Sequence, residues 1–97
     1  MNRVLDTLTP GKVAWLEKLE RRGIAARGRG PVGRNCMVNG WTEWAVTMPG
    51  GDEVRDWFAL TPDEREDLAT LGIQPEERLT PAGRERLAQY RKQQENS

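Results

Sequence analysis

The tripeptide Leu-Thr-Pro occurs three times, as Leu8-Thr9-Pro10, Leu60-Thr61-Pro62 and Leu79-Thr80-Pro81. Threonine in such a position offers its hydroxyl to a free amide of the first helical turn, and the proline after it has no amide to leave unsatisfied. Three helix starts are thereby fixed before any propensity is summed. Leu8 and Val13 stand at the spacing of a hydrophobic staple, and Thr61 and Glu64 at that of a capping box. The intervals between the copies are unequal, which excludes a solenoid of equal repeats.

The first start predicts a helix from Pro10 to about Arg22, with Val13, Leu16 and Leu19 on one stripe, Trp15 beside it and Gly23 as its stop. The second predicts a helix from Pro62 to about Leu71, with Leu68 and Leu71 inward and Gly72 as the stop. The third predicts one from Pro81 to about Lys92, with Leu87 and Tyr90 inward, and then a polar tail over 93–97. Between the first two, Trp44, Val46 and Met48 alternate with Ala45 and Thr47, Pro49-Gly50-Gly51-Asp52 supplies turn residues, and Val54 to Leu60 resumes an extended pattern. That is a β-hairpin. Asn39-Gly40 reads in two ways, as a second tight hairpin turn or as the stop of a short helix over about Val32 to Asn39. Gly28 to Gly33 reads as an exposed loop. At 97 residues the chain is expected to form a single α+β domain over 1–92.

The absent residue types restrict the chemistry. There is no histidine, one cysteine, Cys36, and one serine, Ser97. Zinc sites of Cys and His are excluded, as are nucleophiles activated by an imidazole, and a disulfide within the chain is impossible. The expectation is a non-enzymatic protein with no metal and no cofactor, in which Cys36 is a small buried residue. No apolar run approaches the roughly 20 residues that cross a bilayer, and a lone cysteine fits a reducing compartment, so a cytoplasmic location without membrane contact is expected.

A net charge of zero conceals two opposed halves. Residues 1–48 carry eight Lys or Arg against four Asp or Glu, and residues 49–97 carry seven against eleven. Arg21, Arg22, Arg27, Arg29 and Arg34 form a stretch without an acid, where arginines on exposed loops reach phosphates or acidic protein surfaces. Arg21 and Arg22 also complement the carbonyl end of the first helix. Among the four tryptophans, Trp15 and Trp44 read as core, while Trp41 after the Asn39-Gly40 turn and Trp57 on the outgoing strand read as surface contacts. Asp63, Glu64, Glu66 and Asp67 crowd the start of the second helix, as a solvated, dipole-favoured face or, taken with Asp52, Glu53, Asp56, Glu76 and Glu77 in one acidic run, as an acidic face that imitates phosphates. Gly28-Arg29-Gly30-Pro31-Val32-Gly33 matches the dinucleotide fingerprint literally, but it follows a predicted helix and contains a proline, so its context argues against a nucleotide site.

Leu79-Thr80-Pro81-Ala82-Gly83-Arg84-Glu85-Arg86-Leu87 resembles the Leu-Thr-x-x-Gly-Arg-x-x-Leu segment that follows the wing in many small winged-helix proteins. The stretch from Pro31 to Trp44, with Cys36-Met37 and Gly40-Trp41-Thr42, is similar to the entry to the wing in small proteins of bacterial-virus type. The resemblance implies three capped helices around a central β-hairpin wing, and a recognition helix in the DNA major groove. Only sixteen residues separate Gly23 from Gly40, too few for the two full helices of a helix-turn-helix.

Two functions from different classes follow as expectations. The first is a nucleic-acid-binding regulator of phage or mobile-element type, acting through Arg21, Arg22, Arg27, Arg29, Arg34, the wing, Trp41 and Trp57. The second is a phage-encoded inhibitor of anti-CRISPR type that blocks a host protein or nucleoprotein complex through Asp63, Glu64, Glu66 and Asp67. The opposed halves also allow a homodimer.

Overall fold

The computed structural model describes residues 7–95. In chain order these form α1 (Pro10–Arg22), β1 (Ile24–Ala25), α2 (Val32–Val38), β2 (Thr42–Thr47), β3 (Val54–Asp56), a 3-10 turn (Trp57–Ala59), α3 (Pro62–Thr70), β4 (Glu76–Leu79) and α4 (Pro81–Glu95). The fold is α+β, with one four-stranded sheet in the order β1-β4-β2-β3 and every pairing antiparallel.

All three Leu-Thr-Pro copies open helices. Thr9 accepts from the Lys12 amide, Thr61 and Glu64 close a reciprocal capping box, and Thr80 accepts from the Gly83 amide. Of the two readings of Asn39-Gly40, the helix is the one found. Gly40 takes φ 77°, and the amides of Gly40 and Trp41 return to the carbonyls of Met37 and Cys36, which ends α2 on a left-handed glycine.

Side-chain alternation sends Ala25, Glu77, Leu79, Trp44 and Val46 to one face of the sheet. On that face Leu16, Leu19, Ala25, Cys36, Trp41, Leu79 and Leu87 form one core, flanked by Leu8, Val13 and Trp15. Val46, Leu60 and Leu68 form a second under α3, flanked by Met48, Trp57 and Ile73. On the opposite face Arg78 and Glu43, paired directly across the strands, form an ion pair at 2.9 Å. Helix α4 crosses the chain at Trp41: the Thr80 amide donates to the Trp41 carbonyl, and a Cβ on Gly83 would overlap that same oxygen.

Several expectations are corrected. The extended run after the turn ends at Asp56, whose carboxylate accepts from the Phe58 amide and tightens the chain into the 3-10 turn. Leu71 is 64% exposed because α3 has already ended. Gly72, at φ 77°, reverses the chain so that Ile73 takes the inward place, with its amide donating to the Leu68 carbonyl. Val32 and Gly33 belong to α2 rather than to the preceding loop, and Gly33 is buried. Helix α4 runs through Glu95, into the stretch expected as a tail, while Asn96 and Ser97 lie outside the described residues. Strands β1 and β4 were not expected.

Candidate functional site

Glu77 is the most deeply buried acid among the described residues, at 0% exposure. Its carboxylate is satisfied from two directions: Trp15 donates its indole N–H to Oε2 at 2.9 Å, and Arg27 donates Nε–H to Oε1 at 2.8 Å. The Arg27 guanidinium lies 4.3 Å from the Trp44 ring centroid and also donates to the Met37 sulfur. Five elements therefore meet at one charge pair: α1, the loop after β1, α2, β2 and β4. Gly33 is required where α2 touches the pair, since a Cβ there would lie 2.9 Å from both Arg27 Cγ and Glu77 Oε1. Beneath the pair the Cys36 thiol is pushed up to about 11, first by burial and then by the negative charge of Glu77.

Above the pair, an open cleft of about 370 Å³ separates α1 from the loop and α2. Gly11, Ala14, Trp15 and Lys18 form its α1 wall, the i, i+3, i+4, i+7 stripe of one helical face. The opposite wall is Ala26, Gly28 and Arg29, closed by Val32 and Gly33. Trp15 lines the cleft, and Lys18 Nζ stands over its ring, 5.6 Å from the centroid. Arg21 and Arg22 follow Lys18 at i+3 and i+4 and continue the stripe. Both are exposed, as are Arg29 and Arg34, and none of these five cations makes an ion pair among the described residues.

Arg27, expected on an exposed loop, is turned inward and fixed by Glu77. Trp41, expected at the surface, is 7% exposed because α4 crosses over it, with Arg86 above its ring. Trp57 is half-buried against the second core, and its neighbour Phe58 is the exposed aromatic at 70%. The hairpin is no cationic wing. Asp52 and Glu53 stand at its tip, and Arg55 is held by Glu53 and Glu64. Arg65 donates to the Leu60 and Trp57 carbonyls. Asp63, Glu66 and Asp67 are exposed without ion pairs among the described residues, whereas Glu64 is spent on the capping box and Arg55, with its carboxyl held below the usual range chiefly by the Thr61 amide. Arg21, Arg22, Arg29 and Arg34 thus lie on α1, the loop after β1 and α2, and Asp63, Glu66 and Asp67 on α3.

The sequence does not mark Lys18, it assigns Trp15 to the core alone, and it places Glu77 in the acidic surface run, whereas Glu77 is buried and paired with Arg27. The position of Lys18 on the Gly11-Ala14-Trp15 stripe was a readable signal, but the burial of Glu77 was not. The glycine-rich fingerprint does lie between a strand and a helix, contrary to expectation. The sheet is wholly antiparallel, however, so no βαβ unit surrounds it. No group of three His, Cys, Asp or Glu able to hold a metal occurs among the described residues, and none of their helices is long and apolar enough to cross a membrane. Compared with protein-family models, curated proteins and solved structures, the chain matches none.

Proposed function

We propose that this is a non-enzymatic nucleic-acid-binding protein that engages phosphates through Lys18, Arg21, Arg22, Arg29 and Arg34. The observation that carries the reading is the acid-free stretch from Arg21 to Arg34, in which Arg27 alone is held in an ion pair. Arg27, Arg55, Arg78 and Arg91 are held by carboxylates, while these five make no ion pair among the described residues, and two of them, Lys18 and Arg29, stand on the two walls of one cleft that the likewise ion-pair-free Arg65, Arg84, Arg86 and Lys92 do not line. A cluster of unpaired cations on one side of a neutral protein concentrates polyanions there in spite of the zero net charge. A winged-helix-like scaffold and a phage or mobile-element regulator belong to the same proposal. They are supported by the Leu79–Leu87 resemblance and by the helices packed beside the β2–β3 hairpin. A single seven-residue helix stands where a helix-turn-helix would need two, so the proposed contact is the α1 and loop surface rather than a recognition helix.

Titration of the protein with mixed-sequence nucleic acid tests this, followed by tryptophan fluorescence. Saturable quenching at low salt that weakens steeply toward physiological salt is expected, because phosphate contacts release counterions. Binding that is flat in salt, or no binding at low salt, would refute it.

One observation favours the second reading, a protein inhibitor of a host complex. Phe58, 70% exposed, and Leu71, 64% exposed, flank the two ends of α3, whose exposed surface carries Asp63, Glu66 and Asp67. Apolar anchors beside acids form a surface suited to a basic protein groove. Reversing Asp63, Glu66 and Asp67 abolishes inhibition under that reading and leaves nucleic-acid binding intact under the first.

A further inference from the structure

We propose that the cleft between α1 and the Arg29 loop is a subsite for one unpaired base of a single-stranded nucleic acid, with the adjoining phosphates on Lys18 and Arg29. The inference rests on the nucleic-acid reading above and adds to it the form of the ligand and the residue on which it stacks.

Trp15 has its only polar atom turned away from the cleft. The indole N–H is bound to Glu77 at 2.9 Å, so the ring orientation is fixed from inside the fold. An aromatic face held this way is ordered before any ligand arrives, which lowers the entropic cost of stacking. Gly11 and Ala14 beside the ring and Gly28 on the opposite wall carry little or no side chain, and a Cβ on Gly28 would meet nothing within 4 Å. The Lys18 ammonium, which stands over the ring at 5.6 Å, moves aside to the adjoining phosphate as the base stacks. The space, about 370 Å³, lies at the small end of ligand cavities, which span roughly 300–1,000 Å³. It suits one ring system. Cations stand on both walls, Lys18 and Arg29, so the occupant is a planar group with anions on either side.

A base in a duplex has both faces covered by its neighbours and cannot enter such a cleft, whereas an unpaired base is free to stack on an aromatic ring. The walls hold no Ser, Thr, Asn or Gln side chain to select a base edge, so the subsite accepts bases with little discrimination.

The test uses the full chain and four probes of one length: a mixed-sequence single strand prepared as DNA and as RNA, the matching DNA duplex, and an abasic strand with the same number of phosphates. Ala14→Leu is the informative variant, because Ala14 is exposed on α1, leucine is a good helix former, and its side chain fills the cleft without removing a charge. The expected result is that a single strand binds roughly tenfold more tightly than the duplex, and that both the abasic strand and Ala14→Leu lose roughly tenfold. The tighter of DNA and RNA then names the natural strand. An abasic strand bound as tightly as the intact one, or an Ala14→Leu protein that binds as wild type does, overturns the base subsite while leaving phosphate binding in place. If no probe binds at low salt, the nucleic-acid reading falls and the subsite with it. The abasic comparison uses wild-type protein only, so it decides the question even if the variant is poorly folded.

Discussion

Replacing Glu77 by leucine keeps much of its volume and removes the carboxylate on which five elements converge. The substitution leaves the Trp15 N–H without its acceptor and the Arg27 guanidinium without its counter-charge. Breaking a buried ion pair from one side costs roughly 3–5 kcal/mol. The Arg27 side chain retains 20% exposure, so water reaches the stranded cation and the expected loss is at the lower end, about 3 kcal/mol. For a domain of this size each kcal/mol moves the melting temperature by roughly 4–8 °C, so thermal unfolding followed by circular dichroism should show a fall of more than about 10 °C. Arg27→Met strands the fully buried Glu77 carboxylate instead and should cost more. The double variant removes both charges, so it should be more stable than Arg27→Met alone, with a coupling of at least about 1 kcal/mol. Single variants that each lose less than about 1 kcal/mol, or losses that add within roughly 0.5 kcal/mol, would refute the argument that this pair organises the fold.

Three further outcomes follow from single contacts. Gly83→Ala drives a Cβ into the Trp41 carbonyl, 2.8 Å from its carbon, and the clash should outweigh alanine's helix preference by about 2 kcal/mol in a denaturant titration. Thr42→Val removes the one buried side-chain polar atom that lacks a hydrogen-bond partner among the described residues, and should raise stability by about 1 kcal/mol; a fall would show that the hydroxyl is satisfied. Cys36 should resist a thiol reagent at pH 8 in the folded protein and react fully after unfolding. Because its folded value lies near 11, above that of an ordinary thiol, the unfolded chain ionises first and stability falls as pH rises between the two.

The helix starts were legible because a cap is a local device. Thr9, Thr61 and Thr80 each act within three residues of sequence, and all three helices begin where the threonine and proline place them. Strand β4 was not legible, since Glu76-Glu77 looks like part of an acidic run. What turns Glu77 inward is a pair of partners 62 and 50 residues away, Trp15 and Arg27, and no local pattern announces a contact of that range. Trp41 was misplaced for the same reason. The Asn39-Gly40 turn beside it suggested exposure, but a helix starting forty residues later crosses over it, and Gly83 is the only local trace of that crossing. The same logic divides the arginines: Arg21, Arg22, Arg29 and Arg34 are exposed as their loop and helix-end positions imply, whereas Arg27 is claimed by the buried acid. The cleft escaped sequence reading because it is defined by small side chains on three separate elements.

The most direct test of the central claim is the salt dependence of single-strand binding for the wild type and for the Arg29→Ala/Arg34→Ala double variant. If five cations contact phosphates, the wild-type slope of log K against log salt should approach about −3.5, and the double variant should flatten it by roughly 1 to 2. A slope unchanged by the two substitutions, or a wild-type affinity indifferent to salt, would contradict the account.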